Sequence, residues 1–414
     1  MQAFPGRERH IRIHFKLFEP IFFFFAYRYP GAAQRGRRGM TMELRLMAVG
    51  DVLTHLEIVR AAEGRGYGML FRNMASVFGG ADILLGNQET GLTDRVKPSG
   101  FPVFSTPTGV GIDEEEAGFD LLTLATNHTL DRGKKGMADA VDFWSKRETA
   151  LAIGIRRRSD GAEACVAGGK PYTVIERNGI RVAFLNYTDP TNLHMNPLSG
   201  DYRVSLLRKS RRKTIAEEIR AARAEADFAV VCAHWGIEYL YEPVKSQKKW
   251  ADLFADAGAD LVIGTHPHVA EPLGKVTAAD GREVPVFWSL GNFISCQCFP
   301  GTLLGGLAEV TFRLGEGERA VTCELKPLIA HADEDGFTVY PLAGYTEEQC
   351  LSNRIAQNIA REFGEPVTAA GTRELFEKIQ NGTALREARF KKPSDVRRYN
   401  AGRIVKLLKK HAPH

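Results

Sequence analysis

Carboxylate, amide and imidazole side chains follow short apolar runs at six places in this sequence. The six segments are Gly50-Asp51, Gly86-Asn87-Gln88-Glu89, Thr126-Asn127-His128, His234-Trp235-Gly236, Gly264-Thr265-His266-Pro267-His268 and Ser289-Leu290-Gly291-Asn292-Phe293. Oxygen donors combined with imidazole nitrogens suit a hard or borderline divalent cation such as Mn²⁺, Fe²⁺ or Zn²⁺. Because the apolar runs are typical of buried strands, these donors are expected where loops leave a sheet. The sequence therefore predicts a site for one or two divalent cations.

Three of the oxygen donors also have a structural interpretation. Asp51 is either a carboxylate ligand or the N-cap of the next helix, and capping is preferred when this residue is taken alone. Asn127 is either an amide ligand or a turn residue that tolerates left-handed geometry. Asp131 either orients His128 or caps the helix that follows. These alternatives remain open from the residues alone.

The remaining donors are stronger as a group than singly. Asn87 and Glu89 occupy alternate positions, so both can face one cavity, and Glu is the better metal ligand of the two. A single histidine at a strand end, such as His234, is more often structural than a ligand. His266 and His268 form a pair directly after a second apolar run. Three histidines at the ends of two buried strands favour a functional interpretation.

At 414 residues the chain can form one large α/β domain with additions, or two domains. Apolar runs predict strands at 44–49, 81–85, 119–125, 151–154, 228–233, 261–264 and 284–289. Helices are predicted at 56–78, 136–147, 205–226, 246–257, 346–363 and 396–411. Residues 91–112 read as a long irregular loop, and a hairpin at 172–186 turns at Asn178-Gly179. Alternation at 307–314, 320–329 and 337–342 predicts extra antiparallel strands beside the α/β core.

Composition and charge exclude some classes of function. The chain is 44% hydrophobic and 25% charged with a formal net charge of +5, which is ordinary for a globular protein. Ten of its Lys and Arg residues lie in 386–410, so the middle of the chain is not basic and no nucleic-acid partner is expected. The basic tail is interpreted as a solvated helix rather than a phosphate-binding or membrane-binding one. Cys296-Gln297-Cys298 is a weak metal signal.

Residues 1–42 differ from the rest of the chain. Their apolar run, Ile21–Tyr27, has seven residues, far short of the ~20 needed to span a bilayer. It loosely resembles the core of a signal peptide. The favoured interpretation is a disordered or non-native extension, with the natural start at Met40 or Met42. On that interpretation the protein is expected in the cytoplasm, without a convincing membrane anchor or export signal.

The ordered set of motifs resembles the CapA-type family of capsule and poly-γ-glutamate synthesis, whose fold is similar to that of calcineurin-like metallophosphoesterases. The stretches that carry the resemblance are Val49-Gly50-Asp51, Gly86–Glu89, Ala125–Gly133, His234–Glu238, Pro243 with Gln247, Ala257–His268 and Trp288–Phe293. The resemblance implies a four-layer αββα sandwich over residues 43–345, with the site at the strand ends. Residues 346–414 would form a helical, basic C-terminal extension.

The resemblance also implies a metal-ligand set. Its members are Asp51, Asn127, His234, His266 and His268. Asn87 stands where the phosphoesterases have a carboxylate that bridges two metals, and Leu53 replaces the histidine of their Asp-x-His opening. One well-formed metal position is therefore expected at Asn127, His234 and His266, and the other, near Asp51 and His268, is expected to be poor or absent. Glu89 is the candidate to restore the missing carboxylate.

Two functions of different class follow from this set. The first is a metal-dependent hydrolase or transferase that acts on a phosphate or on a glutamyl amide. In it His128 is the general acid or phosphate clamp, and Asp131 and Glu89 support catalysis. The second is a non-catalytic component of a polymer synthesis or export assembly that binds an anionic chain; a structural relic is the least favoured interpretation. Expected partners are an anionic polymer or phosphate-containing substrate and a membrane-associated synthesis complex.

Overall fold

The computed structural model describes residues 23–28, 41–159, 162–165, 170–189, 191–192, 202–315, 317–384 and 395. Its strands are β1 (Phe23–Arg28), β2 (Met42–Val52), β3 (Ile83–Gln88), β4 (Leu121–Thr123), β5 (Leu151–Ile153), β6 (Ile155–Ser159), β7 (Ala162–Cys165), β8 (Thr173–Arg177), β9 (Ile180–Thr188), β10 (Tyr202–Val204), β11 (Phe228–His234), β12 (Leu261–Thr265), β13 (Leu273–Thr277), β14 (Glu283–Phe287), β15 (Asn292–Ile294), β16 (Leu304–Gly315), β17 (Glu318–Asp333) and β18 (Gly336–Pro341). Its α-helices are α1 (Leu56–Ala62), α2 (Ala75–Phe78), α3 (Gly109–Glu116), α4 (Gly133–Trp144), α5 (Arg212–Glu225), α6 (Lys245–Asp256), α7 (Glu347–Ser352), α8 (Arg354–Phe363) and α9 (Ala369–Gln380).

Two large sheets form the core of the described chain. The first has the strand order β1-β17-β16-β2-β3-β4-β5, with β15 beside β2 and β18 beside β17. The second has the order β13-β14-β12-β11-β9-β8. Strands β2 to β5 are parallel, as are β9, β11, β12 and β14, whereas β16 to β18 add antiparallel strands. The carboxyl ends of the parallel strands in each sheet therefore lie at one edge.

Alternate side chains of the central strands pack on opposite faces of the sheet, and this arrangement forms the layers. In β11, Val230 and Cys232 belong to the apolar cluster shared with the first sheet, whereas Val231 and Ala233 belong to a cluster shared with α5 and α6. Successive strand residues face opposite sides of a sheet, so the second sheet is covered by the first sheet and by helices. The rings of Phe228 and Phe312 lie 4.7 Å apart between the sheets. The predicted αββα sandwich with extra antiparallel strands is confirmed.

Element boundaries differ from the prediction at several points. The helical stretch at 56–78 is broken into α1, a 3-10 turn and α2, because Gly64 and Gly66 take positive φ angles of 73° and 80°. Helix α3 begins inside the predicted loop 91–112. Strand β13 and helix α9 were not predicted. The helix predicted at 396–411 lies outside the described residues.

Regular secondary structure is present on both sides of the predicted central domain at 43–345. Residues 23–28, within the segment expected to be disordered or non-native, form β1 and pair antiparallel with β17. Helices α7, α8 and α9 follow residue 345, where the helical extension was predicted. None of the helices in the described ranges is long and apolar enough to cross a membrane.

A buried ion pair joins β6, a strand of the small sheet β10-β6-β7, to helix α5 of the layer that covers the second sheet. The Arg156 guanidinium donates from both terminal nitrogens to the Glu218 carboxylate of α5, at 2.6 Å each. The Tyr187 hydroxyl of β9 donates to the same carboxylate at 2.6 Å, and Arg156 also donates to Ser205. Removing one partner of such a pair leaves a buried charge without compensation.

We therefore expect Glu218→Ala to lower the free energy of unfolding by roughly 3–5 kcal/mol, because Arg156 would stay buried without its carboxylate. Glu217→Ala is the matched control, since Glu217 lies on the same helix and, among the residues described, forms an ion pair only with the exposed Lys213, at 3.9 Å. Urea unfolding of both variants measures the difference. Equal stabilities would contradict a stabilising role for the buried pair.

Candidate functional site

The strand ends bring the predicted donors of both sheets to one place. Asp51 of β2 lies between Asn87 of β3 and Asn292 of β15 in the first sheet. His234 ends β11 and is paired in register with Thr265 at the end of β12. All five residues are buried. The predicted convergence of donors from distant segments is therefore present in the structure.

Two glycines of these motifs are required by close backbone contacts. A Cβ on Gly50 would lie 1.9 Å from the Gly291 carbonyl oxygen, and one on Gly264 would lie 2.0 Å from the Trp288 carbonyl oxygen. Neither contact tolerates a side chain, so each glycine lets a strand end approach the neighbouring loop. The glycines that precede Asp51 and Thr265 thus set the position of the donors after them.

Asp51, Glu89 and His268 form the tightest group of metal-ligand side chains. One ligand atom from each lies within 4.8 Å of the others, and all three residues are buried. The His268 Nδ1 atom is 3.2 Å from Asp51 Oδ2, and its Nε2 atom is 3.7 Å from Glu89 Oε1. Burial raises the pKa of Glu89 to about 8. Burial alone would lower the pKa of His268, but the two carboxylates outweigh it and raise that pKa.

The polar atoms without hydrogen bonds in this group fit a divalent cation. Both carboxylate oxygens of Glu89 are buried and accept no hydrogen bond from any residue that the structure describes, and the same holds for the buried Nδ1 atom of the neighbouring His266. Buried polar atoms are normally satisfied, so each such atom calls for a partner of another kind. Two carboxylates with imidazole nitrogens are ligands that Mn²⁺, Fe²⁺ and Zn²⁺ accept. The residues present therefore fit the predicted cation.

In the second group of predicted ligands, His234 and Asn127 are already hydrogen-bonded to each other, whereas His266 is not bonded to them. The two ring nitrogens of His234 lie 2.9 Å from Asn127 Oδ1 and 3.0 Å from Thr265 Oγ1. The His266 ring lies 4.8 Å from that of His234, centroid to centroid. Burial lowers the pKa of both histidines, to about 4 for His266, so both are neutral. The expected ranking placed the better metal position here, whereas the structure brings the carboxylates together at Asp51, Glu89 and His268.

Asn87 uses both of its polar atoms within the protein. Its Nδ2 atom donates to Asp51 Oδ1 at 2.8 Å, and its Oδ1 atom accepts a hydrogen bond from Thr123 at 2.7 Å. Asp51 also accepts a hydrogen bond from the backbone N–H of His266 at 3.3 Å. Asp51 is not an N-cap, because His55 occupies that position of α1. In this arrangement Asn87 orients the Asp51 carboxylate, and its amide oxygen points at Thr123 rather than at a cation.

His128 and Asp131 form a hydrogen-bonded pair beside the carboxylates. The Nδ1 atom of His128 is 2.7 Å from Asp131 Oδ2, which also accepts the backbone N–H of Phe104 at 2.7 Å. Burial lowers the pKa of His128, but Asp131 and Glu89 outweigh it, so the net shift is upward. Its Nε2 atom faces Glu89 Oε1 at 3.9 Å. Asp131 therefore orients His128 and does not cap α4.

Two asparagines contact the site but were not among the predicted site residues. Asn192 lies within 3.4 Å of both His128 Nε2 and the Asn127 amide. Asn292 Oδ1 lies 3.1 Å from His268 Nδ1. The sequence signal for Asn292 was its place in the last of the six segments. Asn192 follows the carboxyl end of β9, which is the same edge of the second sheet.

A match to a family of known proteins shows to which family this chain belongs. The family described as bacterial capsule synthesis protein PGA_cap matches residues 45–297, which is more than half of the chain. The chain belongs to this family. All nine predicted site residues lie inside the match. The resemblance to capsule and poly-γ-glutamate synthesis proteins is thereby confirmed.

Two named relatives are moderately similar to this chain in sequence. The PGA biosynthesis protein CapA of Bacillus subtilis is 26% identical over 312 residues, covering 73% of this chain and 78% of that protein. The capsule biosynthesis protein CapA of Bacillus anthracis is 27% identical over 289 residues, covering 66% and 64%. Among solved structures, a 5'-nucleotidase precursor from Thermus thermophilus aligns over 82% of this chain and 59% of its own, at 14% identity and a TM-score of 0.45.

We expect a divalent cation to raise the melting temperature of the wild-type protein, because a ligand of the native state stabilises it by mass action. Glu89→Gln should lose most of this shift, since it removes the carboxylate that accepts no hydrogen bond. Glu271→Gln is the matched control: burial raises the pKa of Glu271 to about 8 as well, but Glu271 accepts from Gln247 instead of joining the cluster. Thermal unfolding with and without Mn²⁺ or Zn²⁺ measures the shift, and equal shifts in both variants would contradict the assignment.

Proposed function

We propose that the protein is a metal-dependent hydrolase or transferase of capsule or poly-γ-glutamate synthesis, acting on a phosphate or a glutamyl-amide bond. The observation that carries the proposal is the buried Glu89 carboxylate, which accepts no hydrogen bond and lies in one cluster with Asp51 and His268. Burying a carboxylate without a partner is costly, so its retention at the strand ends favours a cation. The names of the two CapA relatives support the placement in polymer synthesis.

The metal-ligand cluster and the His128–Asp131 pair have separate roles in the proposed chemistry. Asp51, Glu89 and His268 would hold the cation, which polarises a substrate oxygen and lowers the pKa of bound water. Asp131 raises the pKa of His128 and so favours its protonated form, and the His128 Nε2 atom faces the cluster. It can therefore donate that proton to a leaving group or hold a substrate oxygen. Asp131 acts through His128 and is a positioning residue.

The proposal predicts that His128→Gln lowers kcat by about 10²–10⁴-fold, as expected for loss of a general acid. The same variant should keep the cation-induced rise in melting temperature, because His128 is outside the ligand cluster. Turnover is measured with a phosphomonoester, a phosphodiester and a γ-glutamyl anilide in the presence of Mn²⁺, Fe²⁺ or Zn²⁺. Glu217→Ala, on the exposed face of α5, is the control variant, and its kcat should equal that of the wild type.

One combination of results would replace the enzymatic proposal with the alternative. If the purified protein binds no divalent cation and turns over none of the three substrates, the enzyme is ruled out. Binding of an anionic polymer under those conditions would then identify a non-catalytic component of the synthesis or export assembly. Its place in the cell is tested separately, by fractionation of the full chain.

A further inference from the structure

The loop that carries His266 and His268 has a strained backbone. His266 has a φ angle of 98° and His268 one of 60°, which residues other than glycine rarely adopt. Such conformations persist only where the surrounding structure imposes them, and they are concentrated at functional sites. We call residues 266–272, between β12 and β13, the histidine loop. The contacts that hold the histidine loop decide where the His268 imidazole lies relative to Asp51 and Glu89.

Neighbouring loops hold the first half of the histidine loop. The Tyr239 backbone N–H donates to the Pro267 carbonyl oxygen at 2.8 Å. The Ser289 hydroxyl donates to the Val269 carbonyl oxygen at 2.8 Å, and the Glu271 backbone N–H donates to the Ser289 carbonyl oxygen at 3.0 Å. All of these residues lie inside the family match. This half of the loop is therefore held by the same part of the chain that supplies the metal ligands.

Helix α9 holds the second half of the histidine loop from outside the family match. The Gln380 side chain is buried at the end of α9, where its Oε1 atom accepts the Leu273 backbone N–H at 3.0 Å. Its Nε2 atom donates to the Glu271 carbonyl oxygen at 3.3 Å. One amide side chain thus bridges the two backbone groups that flank Pro272, a residue without an N–H donor.

Apolar packing joins α9 to the same stretch of backbone. Ile379 of α9 forms a buried cluster with Tyr241 and Val269, and Val269 directly follows His268 in the chain. Leu375, one helical turn before Ile379, packs against this cluster. The polar and apolar contacts of α9 therefore both act on the backbone just after the metal-ligand histidine.

We propose that α9 is a positioning element for the cation site. Through Gln380 and Ile379 it holds the histidine loop in the conformation that presents His268 to the two carboxylates of the cluster. The proposal rests on the proposed function for the presence of a cation, and it gives the C-terminal extension a role that lies beyond the family match at 45–297. Because α9 docking and cation binding favour the same loop conformation, each strengthens the other.

The test compares Gln380→Met with the wild type in the full chain. Methionine keeps the helix propensity and approximate length of glutamine, but it makes neither hydrogen bond to the histidine loop. The dissociation constant of Mn²⁺, measured by electron paramagnetic resonance well below the melting temperature, should rise roughly tenfold in this variant. A role in stability alone would lower the melting temperature and leave the Mn²⁺ affinity of the folded protein unchanged.

Arg373→Ala is the matched control. Arg373 lies on the same helix and also donates to backbone oxygens, but these belong to Leu342 and Tyr345, outside the histidine loop. This variant should bind Mn²⁺ within about twofold of the wild type, even if its melting temperature falls as far as that of Gln380→Met.

Hydrogen exchange followed by mass spectrometry gives a second readout that needs no cation. Peptides covering residues 266–273 should exchange faster in Gln380→Met than in Arg373→Ala, because only the first variant loosens the histidine loop. In the wild type, saturating Mn²⁺ should slow exchange at α9, since coupling between two sites is reciprocal.

Two results would overturn the role of α9: an Mn²⁺ affinity in Gln380→Met equal to that of the wild type or of Arg373→Ala, or equal exchange of the histidine loop in the two variants. A wild type that binds no Mn²⁺ contradicts the proposed function instead. Faster loop exchange in Gln380→Met would then still show that α9 holds the loop, so the two failures are distinguished.

Discussion

The burial of two carboxylates in one cluster is the constraint on which the rest of this site depends. Removing a carboxylate from water costs several kcal/mol unless charges and hydrogen bonds replace the water. Asp51 receives that compensation from Asn87 and from the backbone of His266. Among the described residues the cationic partners of Glu89 are imidazoles at 3.7–3.9 Å, and none of these residues donates a hydrogen bond to its carboxylate. Under the proposed function a cation would complete the environment of Glu89, which ties the fold of the strand ends to the proposed chemistry.

The sequence predicts which residues belong to the site, but not the distances between them. Donor types at the ends of apolar runs identify residues, because buried parallel strands end at a common edge. Sequence spacing does not give distances between loops of different strands. For that reason the sequence ranks the position at Asn127, His234 and His266 above the one near Asp51 and His268, although Asp51, Glu89 and His268 lie together. Asn192 is not predicted from the sequence, because its contact with His128 joins two segments that are distant along the chain.

The sequence predicts strands and helices well where the apolar pattern is long and continuous, and poorly where that pattern is short or the helix propensity is weak. Strands β11 and β12 are continuous apolar runs buried on both faces, and their bounds agree closely with the prediction. Strand β13 was missed because its residues alternate between buried and partly exposed positions over only five residues. Helix α9 was missed although Thr368 caps it with a side-chain hydrogen bond to Gly371, because Ala-Ala-Gly is a weak opening for a helix.

Asn87 bears on how many cations the cluster can hold. Its amide nitrogen donates to Asp51 and its amide oxygen accepts a hydrogen bond from Thr123, which matters for any site with two metals. Two cations in such sites lie only about 3.5–4 Å apart, so their repulsion requires an anion between them. A neutral amide that is already hydrogen-bonded cannot supply it. The donor set therefore favours one cation at Asp51, Glu89 and His268, with Asn87 fixing the orientation of Asp51.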